Sequence, residues 1–187
     1  MQAQEPKQFI KHDTQKKIHF VIIPTFLGHI LAAESNRGLC SVILGDTPEE
    51  LEQDLMVLFP KTQLIEENRE KLASTIHLLL QPPFLLPANI PLDLQGTDFQ
   101  REVWKIVQTT PPGHTTTYSA VAQKLGKLTS VRAVANAIAA NRLALVIPCH
   151  RVIRKDGSLC GYRWGMGRKK KLLELESYYQ LSPLPAQ

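Results

Sequence analysis

Residues 81–96 read QPPFLLPANIPLDLQG, with four prolines in one short span. Proline fixes φ and has no N–H to donate, so no helix interior tolerates this density, and the stretch predicts an extended linker. The texture of the chain changes across it, and that change sets the fold class. On the N-terminal side, IHFVII, HILAAES and GLCSVIL are short apolar runs separated by PTFLG and the turn-forming SNRG, which predicts an antiparallel meander. TPEELEQDLMVLF then places Thr47 as N-cap, Pro48 in the first turn, Glu50 three residues after the cap, and Leu51, Leu55 and Leu58 on one face. A second helix is expected near 64–80. On the C-terminal side the texture is helical: TDFQREVWKIV carries a capping box of Thr97 with Gln100, and TYSAVAQKLG stops at Gly126. The expectation is an α+β protein with a flexible N-terminus (1–17), a small antiparallel sheet with helices (18–80), the linker (81–96), a mainly helical unit (97–178) and a tail (179–187).

A chain of 187 residues, 43% of them hydrophobic, can bury a real core as one large domain or two small ones. No apolar run approaches the roughly 18 residues of a membrane span, and MQAQEPKQFIKHDTQKK lacks a signal-peptide core, so a cytoplasmic protein without membrane contact is expected. Cys40, Cys149 and Cys160 are an odd, sparse set, which argues against a disulfide framework and fits a reducing compartment. The six histidines are scattered and no CxxC or HxxxH pair occurs, so neither a metal nor a cofactor is expected. Charge divides unevenly. Residues 1–96 hold 8 Lys+Arg against 12 Asp+Glu, whereas residues 97–187 hold 14 against 5, within a total of +5. The basic C-terminal half suits a polyanion, although a solvated basic face gives the same count.

Within that half, SVRAVANAIAAN reads as a helix with Ser130 as N-cap and Val131, Val134 and Ile138 on one face. Its other face holds Arg132, Ala133, Asn136, Ala139 and Ala140. With the preceding short helix and the KLTS connection this is a helix-turn-helix pattern. The small side chains permit close approach of a partner, or equally tight helix packing. Asn141 then tolerates a left-handed C-cap, LALVIPCHRVI reads as a buried extended segment, KDG as a turn, and RKKKLLELESYY as a last helix whose basic start is most simply solvated, with contact to phosphates as the alternative. Cys149, between Pro148 and His150, is either a reagent or a small buried hydrophobe, since most unpaired cysteines are buried and inert. Glu176, beside Leu172 and Leu173, reads by itself as a surface residue.

The stretches GTDFQREVW, TTYSAVAQKLG, VRAVANAIAANRLALVIPCHRVI and DGSLCGYRWGMGRKKKLLELE resemble, in that order, the O6-alkylguanine-DNA alkyltransferases. The similarity is greatest to the repair domain of bacterial adaptive-response regulators, and it covers about residues 18–177. The resemblance implies a ribonuclease-H-like N-terminal unit. It also implies direct-reversal repair: a single-turnover transfer of the alkyl group from O6-alkylguanine, and from O4-alkylthymine, to the protein's own cysteine after nucleotide flipping. Thiolate sulfur is the protein nucleophile best suited to an sp³ carbon. Carried over by resemblance, Cys149 is the acceptor, His150 takes its proton through a water, Glu176 orients His150, and Asn141 is the hinge asparagine. The second helix of the helix-turn-helix would enter the minor groove of double-stranded DNA through Ala133, Asn136 and Ala140. Arg132 would fill the vacated stack. Tyr118 would help rotate the nucleotide and protonate the departing guanine. The carbonyls of Cys149 and Val152 would meet the exocyclic amine, Tyr162 would wall the pocket, and the Arg163 N–H would meet the O6 side. A monomer is implied.

Two departures stand out. Many relatives carry a glycine-rich turn where this chain has GYRWG, so Arg163 and Trp164 are expected to narrow the pocket. Nothing in the first 17 residues matches the zinc-binding domain of the regulators, so repair without transcriptional regulation is expected. Two rivals exist: a non-catalytic sensor of alkylated DNA, disfavoured by the intact Cys149, and a Cys-His hydrolase, which would leave the helix-turn-helix and the basic half unexplained.

Overall fold

The computed structural model describes residues 16–67 and 70–181. The three N-terminal runs form strands β1 (Lys17–Thr25), β2 (Gly28–Ser35) and β3 (Gly38–Gly45), paired antiparallel in sequence order. A helix follows at once, as expected: in α1 (Pro48–Leu58) the Thr47 hydroxyl accepts from the Glu50 N–H at 3.2 Å. The Glu50 carboxylate turns to the Asp46 N–H at 2.8 Å rather than to Thr47, so only half of the box forms. Leu51 and Leu55 are fully buried, and each such side chain contributes about 1.5–3 kcal/mol.

Two expectations here need correction. The second helix, α2, spans Glu70–Leu80, and residues Gln63–Glu66 form a strand, β4, that pairs parallel with β1. The sheet is therefore mixed, with order β3-β2-β1-β4. A four-residue strand whose Leu64 and Ile65 are only half-buried is too short to show a period of two.

The proline-rich segment is not a free spacer either. Leu39 N–H donates to the Pro91 carbonyl and Asp93 N–H to the Leu39 carbonyl, each at 2.9 Å. Phe84 is buried edge-on against Tyr179. Asp93 is itself buried, accepting from Ser35 at 2.8 Å and pairing with Arg37 at 2.9 Å. Gly38 makes this approach possible: its φ is +131°, and a Cβ there would collide with the Pro91 carbonyl. Prolines rule out a helix but do not prevent docking through the residues between them.

C-terminal to it lie α3 (Asp98–Gln108), the two-residue strand β5 (Thr116–Thr117), α4 (Tyr118–Lys124), α5 (Val131–Ala139), strand β6 (Val152–Ile153) and α6 (Met166–Leu181). The Thr97–Gln100 capping box is present, and Gly126 stops α4 at φ +68°. Trp104 of α3 is buried and donates its indole N–H to the Ala137 carbonyl at 2.8 Å, locking α3 to α5. Ser130 does not cap α5 with its side chain. A 3-10 turn, Leu128–Ser130, leads in instead, and it leaves Val131 exposed, so the buried face is Val134, Ala137 and Ile138.

The 141–153 segment is buried but not extended. It passes through turns, with Leu145 at φ +68°, and a 3-10 turn over Cys149–Arg151 before β6. It is fixed to the sheet, because Val42 N–H donates to the Arg142 carbonyl and Ala144 N–H to the Val42 carbonyl, both at 2.8 Å. One buried apolar cluster runs through both halves of the chain. Residues 1–15 and 182–187, which hold most of the expected flexible N-terminus and tail, lie outside the described residues; Lys17 already belongs to β1, and α6 continues past residue 178. Among the described residues no helix is long and apolar enough to cross a membrane.

Candidate functional site

Asn141 organises the site, though not by its backbone. The C-cap of α5 is Ala140, in right-handed geometry, and Asn141 is absent from the positive-φ residues, so the expected left-handed cap does not form. Its buried carboxamide acts instead. Oδ1 accepts from the Leu143 N–H at 2.8 Å, while Nδ2 lies 3.0 Å from the Ile147 carbonyl and 3.3 Å from the Cys149 sulfur. One side chain thus closes the loop that carries the thiol.

Cys149 is 6% exposed. Burial pushes its thiol up to about 11, against the pull of the Asn141 hydrogen bond and the Lys169 charge. At neutral pH the resting group is therefore a neutral thiol, and its proton must leave as it reacts. His150 is buried beside it, and its Nε2–H donates to Glu176 Oε1 at 2.8 Å. Burial holds the imidazole below its ordinary pKa even though Glu176 opposes this, so the ring is neutral and its Nδ1 is an acceptor. That Nδ1 is buried without a hydrogen-bond partner among the described residues.

Glu176 is buried, not on the surface. It accepts from His150, from Arg151 Nε and Nη2 (3.1 and 2.8 Å), and from the Gly113 N–H at 3.0 Å. Burial alone would raise its pKa, but the hydrogen bonds and charges of His150 and Arg151 outweigh it and hold the carboxyl down at about 2. Arg151 is completed by the Thr110 carbonyl at 2.7 Å.

The sulfur meets a cavity of about 420 Å³ whose walls include Tyr118, Asn136, Ile138, Tyr162 and Arg163. A larger groove, about 1210 Å³, opens beside Lys16, Arg37 and Lys61, but it holds no cysteine; we place the site at the smaller cavity because the thiol and its buried partners are there. Tyr118 is half-buried and Tyr162 buried, and burial, first of all, keeps both phenols protonated. Among the described residues no three His, Cys, Asp or Glu side chains converge as metal ligands.

Not every expected residue reaches the cavity. Val152 does not line it: it is fully buried, and its carbonyl accepts from Lys169 Nζ at 2.6 Å. The Cys149 carbonyl already accepts from the Val152 N–H. Trp164 packs behind Tyr162, with ring centroids 5.2 Å apart, so of Arg163 and Trp164 only Arg163 lines the cavity. Arg132, Ala133 and Asn136 form an exposed face on α5, with Ala140 half-buried at its end.

Three residues were missed by sequence reasoning: Arg151, Lys169 and Cys160. Lys169, in the supposedly solvated start of α6, has no exposed surface. The signal was there, since positions 169, 172 and 176 share one helical face with buried Leu172.

Fold and site together define an α+β protein with one thiol on a closed loop, backed by an imidazole and a carboxylate and opening beside an exposed helix face. Residues 98–178 match the family described as 6-O-methylguanine DNA methyltransferase, DNA binding domain. The bifunctional transcriptional activator/DNA repair enzyme Ada of Escherichia coli is 41% identical over 91% of this chain, which spans about half (49%) of that relative's length. A probable methylated-DNA--protein-cysteine methyltransferase of Acanthamoeba polyphaga mimivirus is 38% identical over 76% of this chain and 93% of its own. The crystal structure of Mycobacterium tuberculosis OGT in complex with DNA superposes with a TM-score of 0.71 at 31% identity, covering 86% of this chain and 93% of that one. The chain belongs to the O6-alkylguanine-DNA alkyltransferase family.

Proposed function

We propose that this chain repairs O6-alkylguanine in double-stranded DNA by moving the alkyl group to Cys149 in a single turnover. One observation carries the reading: the Cys149 sulfur opens on a cavity of about 420 Å³ and is backed by the buried His150–Glu176 pair, joined at 2.8 Å. Sulfur attacks the sp³ carbon in line, the S–C bond forms, and the C–O6 bond breaks with its electron pair staying on guanine. The thiol proton passes through a water to His150 Nδ1, and Glu176 stabilises the imidazolium. Tyr118, kept neutral, donates a proton to the departing base and takes one back from water as His150 releases its own, so the thiol proton is balanced by the one on guanine. O4-alkylthymine presents the same kind of carbon.

A stacked base cannot reach a buried sulfur, so the nucleotide must rotate out, at a cost of a few kcal/mol. The small face of α5, the second helix of a helix-turn-helix, lets the protein lie against the minor groove, and Arg132 fills the gap. The thioether product resists hydrolysis, so each molecule acts once. With excess duplex carrying labelled O6-methylguanine, we expect one label per protein, on the Cys149 peptide. Repeated turnover, or label on Cys40 or Cys160, would overturn the assignment. Binding without transfer would leave a non-catalytic sensor.

A further inference from the structure

The mechanism above uses Tyr118 but not the thiol beside it. Cys160 Sγ donates to the Tyr118 hydroxyl at 3.4 Å. We infer that Cys160 is a positioning residue for Tyr118, its S–H occupying the phenol oxygen so that the phenol hydrogen turns toward the cavity and the departing base. The inference rests on the transfer reaction proposed above.

The contact belongs to a closed circuit. Tyr118 is the first residue of α4, directly after β5, and β5 pairs with β6 through Thr116–Val152 and Thr117–Ile153. The Val152 carbonyl accepts from Lys169 Nζ at 2.6 Å, and the same ammonium donates to the Cys160 carbonyl at 3.0 Å. Cys160 then returns to Tyr118. Lys169 is wholly buried, so this link does not exchange with solvent. A phenol hydrogen has two in-plane positions, and accepting a bond from one side favours the other. Burial keeps Tyr118 protonated, as a donor must be.

The test compares two leaving groups. Guanine departs with a proton and iodide does not, so Cys160→Ala is expected to slow methyl transfer from duplex about three- to tenfold, the worth of one weak hydrogen bond. Alkylation of Cys149 by iodoacetamide, located by peptide mass, stays at the wild-type rate, and duplex affinity is unchanged. Cys160→Ser, which restores a donor, recovers methyl transfer. Wild-type transfer by Cys160→Ala, or equal slowing of both reactions, would show that Cys160 only packs and would overturn the inference. If the wild-type protein takes iodoacetamide on Cys149 but no methyl from DNA, the functional reading itself falls, and this inference with it.

Discussion

The amide nitrogen of Asn141 lies 3.3 Å from the sulfur of Cys149, eight residues later, while its oxygen holds the Leu143 N–H at 2.8 Å. The residue that closes the loop thus also donates to the nucleophile. Asn141→Ala leaves a buried N–H and two carbonyls without this partner, at about 1–3 kcal/mol. We expect a lower Tm and an iodoacetamide pH profile for Cys149 that moves above about 11, since the Asn141 bond favours the thiolate. An unmoved profile would confine Asn141 to loop closure.

Glu176→Gln leaves the Arg151 charge buried with a weaker partner and removes the anion that His150 needs on protonation. Breaking a buried pair in this way costs about 3–5 kcal/mol. Chemical denaturation should show that loss at pH 7. Methyl transfer should fall while duplex affinity holds, and an unchanged rate would remove Glu176 from the mechanism.

Stability should also depend on acid in a defined window. The Glu176 carboxyl titrates near 2 in the folded protein and near the ordinary 4.5 when unfolded, so the unfolded state binds its proton first as pH falls. The contribution is complete above about 4.5 and lost on the way down to 2. His150, also depressed by burial, begins to erode stability below the ordinary imidazole value of 6.5. Glu176→Gln should flatten the lower part of a Tm-versus-pH curve and leave the start of the upper part. A variant curve parallel to wild type would refute this.

Lys169→Arg is not conservative here. The ammonium has no exposed surface and meets two carbonyls, and a planar, larger guanidinium cannot be seated without displacing one of them. Overpacking of this size costs about 1–3 kcal/mol. We expect a Tm several degrees lower, and a Tm equal to wild type would show that the pocket yields.

Arg132→Ala should slow repair of duplex far more than reaction with free O6-benzylguanine, because only the duplex leaves a gap to fill. Arg132 is exposed and packs no core, so folding should be untouched. Equal losses on both substrates would rule out the plug.

How far the sequence could be read depended on whether a residue acts through a pattern or a partner. The Thr97–Gln100 box, the Gly126 stop and the three hairpin strands follow from local spacing and appear as expected. Strand β4 was missed because four residues carry no measurable period. Val131 and Ser130 were misread because the 3-10 turn shifts the start of α5, which no propensity at those positions announces. Glu176 could be assigned a role only by resemblance, since its partners are 25, 26 and 63 residues away. Lys169 looked like a solvated cation because periodicity is normally counted on apolar residues. A buried stripe made of Lys169, Leu172 and Glu176 is invisible to that count.

The outer strand of the sheet, β3, has its free edge capped twice: at Leu39 by the proline-rich segment and at Val42 by the loop that ends in Cys149. The second cap is held by the Asn141 carboxamide, which also touches the sulfur. By the transfer proposed above, a methyl group on that sulfur would take the place of the hydrogen-bonded thiol and crowd the clamp, and the strain would fall on the 142–144 backbone bonded to Val42. Loosening them would bare part of a strand edge, a template on which other chains add. The used molecule would thus carry its own mark, an unshielded β-edge, read as aggregation or proteolytic nicking near residues 141–149 that the unreacted protein resists.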